Sequence, residues 1–448
     1  MLLWLIACTI PEKTHERDWI KEVLYADNWR YVQRSHLSLS QKFMAMAESE
    51  YAFMRGSLSI QLAHWSRVSQ DRVSTQFLNT SGSTMVPIFG DAHPENFTIA
   101  AYPGQSITTE IIDLDAAGFA PWILDVRRAL TAQRIFASSM DGCDTMCQEA
   151  VVAGWLEGFE QSLVELELPT RQSKIVDDLI EEALEEGSES KKYNKYTTDG
   201  RLNFNDELDE EGKGIFPVTL GDITPRQIFN QFANEQIGTV RLLDMGQRFG
   251  TGISSRAALR YVFVWDTGLD GEEDNQLLLA REVFDSPDYP GRLGIESEPF
   301  ESNAHRVTRM RKILWRNPDA DPNYRGFTAP FDFKTQSWSS YYQDIEVSKI
   351  KEDWDDGDLS VEDLIDLAVV MGAHHAFVWR DTQTWSGESV RNVILEDITL
   401  GGGFDRLSAE LIGVSKADVV VQQTDYDWFV TELERSGPLL GLDVMGEW

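Results

Sequence analysis

Residues 90–97 read GDAHPENF and residues 111–125 read IIDLDAAGFAPWILD, and the spacing of polar residues in these two stretches decides how the rest of the chain is read. Asp91 and Asn96 flank His93 and Pro94, and a second acidic pair, Asp113 and Asp115, follows after a short gap. Met85 to Phe89 is a mostly apolar run that fits a buried strand, Gly90 breaks it, and Phe97 to Ala101 reads as a second strand. Pro103-Gly104 signals a turn. Ile107 to Asp113 then alternates, which puts Ile107, Thr109, Ile111 and Asp113 on one face.

Asp91 and Asn96 therefore lie on a loop entering a hairpin, and the hairpin folds back to return Asp113 to the neighbourhood of Asn96. Pro121 starts a helix that runs to about Ser138. Asp125 sits in its first turn, where a carboxylate suits the helix dipole or receives backbone N–H groups from the loop. The plainer reading of each carboxylate is a solvated turn or cap. The combined spacing points instead to a site that handles phosphate or metal.

This arrangement resembles the catalytic loop, hairpin and metal-binding aspartate of the protein kinase and aminoglycoside phosphotransferase superfamily, in which an Asp is followed five residues later by an Asn and another Asp ends the next hairpin. The resemblance implies that Asp91 orients or deprotonates an acceptor hydroxyl, with His93 packing the loop beside it. Asn96 and Asp113, with Asp115 next to them, would hold Mg2+ on the phosphates of ATP, and Asp125 would brace the loop. Phosphoryl transfer needs hard oxygen ligands for Mg2+ and one carboxylate near the attacking oxygen.

The chain also resembles a bacterial family known as domain of unknown function 2252. The residues that carry this likeness are Phe53-Met54-Arg55-Gly56, Gly90 to His93, Asn96-Phe97, Asp113-Leu114-Asp115, Pro121-Trp122, Asp125 and Arg128. Weaker echoes continue to about Ala376. The likeness implies an architecture and a suspected chemistry, and it names no substrate.

At 448 residues the chain is long enough for two or three lobes, and 42% hydrophobic content with 14 Trp and 22 Phe predicts a folded globular protein. Forty basic against 74 acidic residues give a net charge of -34. Such a field repels nucleic acid and anionic lipid, which argues against both as primary partners. It also repels ATP unless Mg2+ and local basic residues compensate.

Met1 to Ala7 is apolar and Leu5-Ile6-Ala7-Cys8 looks like a lipoprotein box, which implies a lipid on Cys8 and a place in the cell envelope. Seven residues are few for a signal peptide and no basic region precedes them, so a chance apolar end and a cytoplasmic protein stand as the alternative. Cys143 and Cys147 would pair in an oxidising compartment; two ordinary thiols is the simpler reading.

Residues 1–17 are read as a tail or signal remnant, and 18–176 as a helical lobe that carries the hairpin. Residues 177–214, with EEALEEGSES, KKYNKY and DELDEEGKG, read as a solvated charged excursion between lobes. Residues 215–330 read as a smaller sheet lobe, with strands at Leu259 to Trp265 and Leu277 to Ala280. In it Gly250, Gly252 and Ser255 suit a phosphate loop or an ordinary hairpin turn. The lysine that the kinase resemblance implies two strands later is absent. Arg281 or Phe284 stands in its place, and Arg55 is a further residue able to reach an anion.

Arg306, Arg309, Arg311, Lys312 and Arg316 form a basic cluster read mainly as pairing with acidic neighbours. Residues 331–448 read as a helical region in which Val361 to Trp379 is amphipathic and turns His375 to the core.

The expected fold is α+β and protein kinase-like with two lobes, circularly permuted because the sheet lobe follows the catalytic loop. The expected function is Mg2+-dependent transfer of a nucleotide phosphate to a small-molecule or protein hydroxyl. A non-catalytic envelope lipoprotein that binds a ligand or assists assembly is the alternative, and metal-dependent phosphate-ester hydrolysis is a third reading.

Overall fold

The computed structural model describes residues 17–66, 85–102, 104, 106–165, 172–186, 189–209, 212–218, 222–236, 240–268, 275–283, 300–339 and 341–444. The Cys8 motif, Pro103 of the hairpin turn and Phe284 lie outside the described residues. The fold is α+β.

Among the described residues four helices come first: α1 (Trp19–Arg34), α2 (His36–Ala47), α3 (Glu50–Gly56) and α4 (Leu58–Ser66). Strands β1 (Met85–Ile88), β2 (Phe97–Ala100), β3 (Thr108–Ile111) and β4 (Gly118–Pro121) follow, then α5 (Trp122–Ser138) and α6 (Thr145–Glu165). Next come α7 (Lys174–Glu186), α8 (Glu189–Tyr196), β5 (Thr197–Thr198), β6 (Arg201–Leu202), β7 (Gly214–Pro217), α9 (Thr224–Asn234), β8 (Arg241–Phe249), β9 (Arg260–Asp266) and β10 (Asn275–Glu282). The chain continues through α10 (Asn303–Leu314), β11 (Arg325–Thr328), β12 (Asp332–Ser337), β13 (Tyr342–Asp344), α11 (Val347–Asp355), α12 (Val361–Arg380), α13 (Val390–Gly401) and α14 (Phe404–Ser436).

The chain divides into two compact units, the first formed by residues 1–72, 252–257 and 420–448 and the second by the remainder. In the first unit Phe53 and Phe43 pack on Phe429 with ring centroids 5.0 and 5.9 Å apart. Gly56 gives its space to Met46, whose Cγ would lie 2.5 Å from an added Cβ. Two positions of the Phe-Met-Arg-Gly motif thus have packing reasons. Asp425 receives Arg17 at 2.7 Å and His64 at 2.6 Å on its two oxygens.

In the second unit, α6 and α12 cross backbone to backbone. A Cβ on Gly372 would fall 1.9 Å from the Trp155 carbonyl oxygen, and one on Gly158 would fall 2.0 Å from that of Val369. β1 pairs antiparallel with β4, and a three-stranded sheet runs β13-β2-β3. A six-stranded antiparallel sheet runs β11-β12-β10-β9-β8-β7. Side chains alternate along β9. Tyr261, Phe263 and Trp265 join Phe229 and Phe232 of α9 on one face, while Val262 and Val264 join Leu202, Ile215 and Trp338 on the other.

Several sequence expectations change. The helical segment 18–176 does not form one lobe: α1 to α4 belong to the first unit and α5 and α6 to the second. The sheet does not end at 330, because β12 closes it at Ser337. The charged stretch from 177 is not wholly a solvated excursion, since α7 buries Ile175, Leu179 and Ala183 at four-residue spacing and turns its acids outward. Tyr196, at the end of α8, stacks on Trp338.

Cys143 and Cys147 form a disulfide rather than two thiols; the turn entering α6 brings their Cα atoms to 5.2 Å. Alternation misplaced β3, where Thr108 and Glu110 are buried while Ile107 is exposed. Glu110 on this buried face accepts the N–H groups of Arg316 and Asn317 in the turn after α10, a pairing that sequence periodicity does not register.

Candidate functional site

Gly90 begins the site at φ +82°, and a Cβ there would lie 2.2 Å from the Ala116 carbonyl oxygen. Only glycine makes that turn without displacing backbone. The loop is then fixed from below. Asp125 accepts the N–H of Phe89 at 2.9 Å and of Gly90 at 2.8 Å. Nε2 of His375 lies 3.1 Å from the same carboxylate, and Trp379, one turn further along α12, donates to the Pro87 carbonyl at 2.6 Å. Asp125 is buried with its oxygens engaged, so in this structure it holds the loop and reaches no solvent.

Asp91 projects from this loop with its side chain 14% exposed. Arg128, three residues after Asp125 on α5, grips one of its carboxylate oxygens through Nε at 2.9 Å and Nη2 at 2.8 Å. His93 stands 3.9 Å from the other oxygen. Asn96 donates its amide N–H to the Asp91 carbonyl at 2.7 Å, which leaves its amide oxygen as the group able to face a cation.

The hairpin does return the second acidic pair. Phe97 pairs with Ile111, and Ile112 N–H donates to the Asn96 carbonyl at 3.0 Å, so Asp113 follows immediately beyond Asn96's partner. Arg281 on β10 donates through Nη2 to Asp113 at 2.8 Å and to Asp115 at 2.6 Å. Lys334 on β12 donates to Asp115 at 2.9 Å and lies 3.8 Å from Asp113. Arg281 and Lys334 are direct cross-strand partners.

Burial opposes charge on Asp113, but the two cations outweigh it and hold the carboxyl well below the usual carboxylate range. Burial likewise opposes charge on Arg281, and the two aspartates reverse it and raise the guanidinium above its ordinary value. The result is a four-charge cluster of two carboxylates and two cations. Lys334 is the functional candidate that sequence reasoning missed. Its signal was a lone lysine between Phe333 and Thr335, facing inward on a buried strand.

The other expected ligand-binding residues are placed differently. Gly250 and Gly252 take φ values of +76° and +74°. Gly250 sits against the Gly212 carbonyl, 2.1 Å from an added Cβ, so its lack of a side chain already has a packing reason at the start of β7. Gly252, Ser255 and Arg55 belong to the first unit, where the Arg55 guanidinium lies 5.9 Å from the Tyr51 ring centroid and Ser255 is buried.

In the basic cluster, Arg311 lies 4.1 Å from both the Trp315 and Tyr324 centroids, and Arg306 donates to the Ala117 carbonyl at 2.7 Å.

Among the described residues, no three His, Cys, Asp or Glu side chains gather as a metal cage. Asp113 and Asp115 still fit Mg2+, which retains waters and is bound through one or two carboxylates together with substrate phosphates.

Residues 34–432 match the family model described as "Uncharacterized protein conserved in bacteria (DUF2252)", and the chain belongs to that family. No curated protein matches the chain. No solved structure matches it.

Proposed function

We propose that this member of the DUF2252 family is a kinase-like phosphotransferase that moves a nucleotide phosphate to a hydroxyl acceptor, using a protein kinase-like two-lobe plan in circularly permuted order. The observation that carries the reading is the pairing of Asp113 and Asp115 with Arg281 and Lys334. A Mg-nucleotide offers the matching halves. Its phosphate oxygens suit the two cations and its metal suits the two carboxylates, so the cluster exchanges internal ion pairs for ligand ones without burying uncompensated charge.

When bound, Mg2+ would neutralise phosphate charge. Asp113, Asp115 and the Asn96 amide oxygen are the groups that would hold it. Asp91 is partly exposed on the same hairpin and is directed by Arg128, which suits it to receive and orient an acceptor hydroxyl. His93 packs beside it, and Asp125 keeps the loop in place. The order of parts also supports the plan: Gly250 follows β8, and the Arg281-bearing strand lies two strands on. Lys334 beside Arg281 supplies the amine that the kinase pattern calls for.

A second reading, a non-catalytic ligand-binding or assembly module of the cell envelope, draws on two observations. Among the described residues, the first helix after the Arg281 strand, NAHRVTRMRKIL, has no Glu to pair with a lysine as kinases require, and Cys143–Cys147 is a disulfide suited to an oxidising compartment.

Calorimetric titration of the wild type and Lys334→Ala with Mg-ATP, followed by γ-phosphate-labelled ATP with and without candidate acceptors, separates the possibilities. Binding lost in the variant together with label transfer fits the phosphotransferase. Binding without turnover fits the module, label released to water indicates hydrolysis, and no binding by the wild type overturns the phosphate site.

A further inference from the structure

We infer that helix α10 is a positioning element for the four-charge cluster, with Arg306 as the residue that sets the distance between its carboxylates and its cations. The first turn of α10 bridges the two halves. Asn303 N–H donates to Asp332 Oδ2 at 2.8 Å, anchoring the helix to β12, the strand that carries Lys334 two residues later.

One turn on, buried Arg306 donates through Nη1 to the Ala117 carbonyl at 2.7 Å, in the turn that carries Asp113 and Asp115. Its other nitrogens donate to Asn303 Oδ1 at 3.3 and 3.2 Å, which fixes the guanidinium plane.

The remainder of the helix reinforces the same bridge. Gly326 pairs with Lys334 across the strands, and a Cβ on it would lie 2.5 Å from the Ala304 carbonyl of α10, so helix and sheet touch through backbone. Beyond the helix, Trp315 Nε1 donates to the Ile111 carbonyl at 2.8 Å, and the N–H groups of Arg316 and Asn317 donate to the Glu110 carboxylate at 3.1 and 3.3 Å. Residues 110–117 are therefore gripped at both ends, with Asp113 and Asp115 between the grips. Through its bond to the Ala117 carbonyl Arg306 acts on the turn.

The consequence for ligand binding rests on the phosphate-site reading, while the consequence for the cluster does not. The test uses the full chain as Arg306→Ala, Arg306→Lys and the milder Asn303→Ala. Acylation of Lys334 by acetic anhydride is followed by peptide mass spectrometry, with Lys42 of the first unit as the internal reference.

Loss of one charge-assisted hydrogen bond predicts a rise of about tenfold in Lys334 labelling for Arg306→Ala, with Lys42 unchanged. Arg306→Lys, which keeps one donor for Ala117, returns labelling close to wild type, and Asn303→Ala falls between. If Arg306→Ala does not fold, Asn303→Ala decides. Unchanged Lys334 labelling, or a parallel rise at Lys42, overturns the inference. A parallel Mg-ATP titration keeps the two claims apart: no binding by the wild type defeats the phosphate reading and leaves the labelling result standing.

Discussion

Lys334 and Asp115 lie 219 positions apart in the chain and meet at 2.9 Å. The amine is almost completely buried, so the contact exchanges water for one carboxylate and the neighbouring Asp113. Lys334→Met removes the charge and retains most of the volume. It leaves Asp115 with Arg281 alone and is expected to cost about 2 kcal/mol in urea unfolding. A double-mutant cycle with Asp115→Asn checks that the loss belongs to the pair, and additivity of the two single changes would count against it.

Asp125 makes the complementary prediction at the base of the loop. Asp125→Ala strands two buried backbone N–H groups and is expected to destabilise the protein by about 3 kcal/mol, whereas Asp125→Asn keeps one acceptor and loses less. Equal melting temperatures for the two variants would show that the carboxylate's hydrogen bonds do not hold Phe89 and Gly90.

Glu110 predicts a pH dependence. Burial, partly offset by the hydrogen bonds from Arg316, Thr108 and Asn317, raises its carboxyl from 4.5 to about 7. The folded state therefore holds this proton more tightly than the unfolded chain. Its contribution to stability is complete below pH 4.5 and is lost as pH rises through 7, by about 3 kcal/mol at most. Denaturant titrations at pH 5 and pH 8 should show a smaller difference for Glu110→Gln than for the wild type. An equal difference in both proteins would remove Glu110 as the cause.

The local part of this site was legible in the sequence because its geometry is local. Gly90, the Asp91 to Asn96 spacing, the hairpin and the helix start, read at Pro121 and found one residue on at Trp122, each follow from short-range rules. His375 was placed in the core by helical periodicity, and it reaches Asp125 there. Lys334 was not legible, because which residue stands opposite Arg281 is set by strand register across an intervening helix. The packed α7 was hidden for another reason: its acids dominate the composition while Ile175, Leu179 and Ala183 carry the burial. The β3 face was misread because Glu110 is paired by a turn more than 200 residues away, at a separation of 206 from Arg316.

The most direct measurement of the central claim is the melting temperature with and without millimolar Mg-ATP, on the wild type and on Asp113→Ala. A ligand that binds the folded state alone must raise the melting point. The four-charge cluster predicts a rise of several degrees in the wild type that Asp113→Ala abolishes. No shift in the wild type, or an equal shift in both proteins, would contradict a Mg-nucleotide site at Asp113.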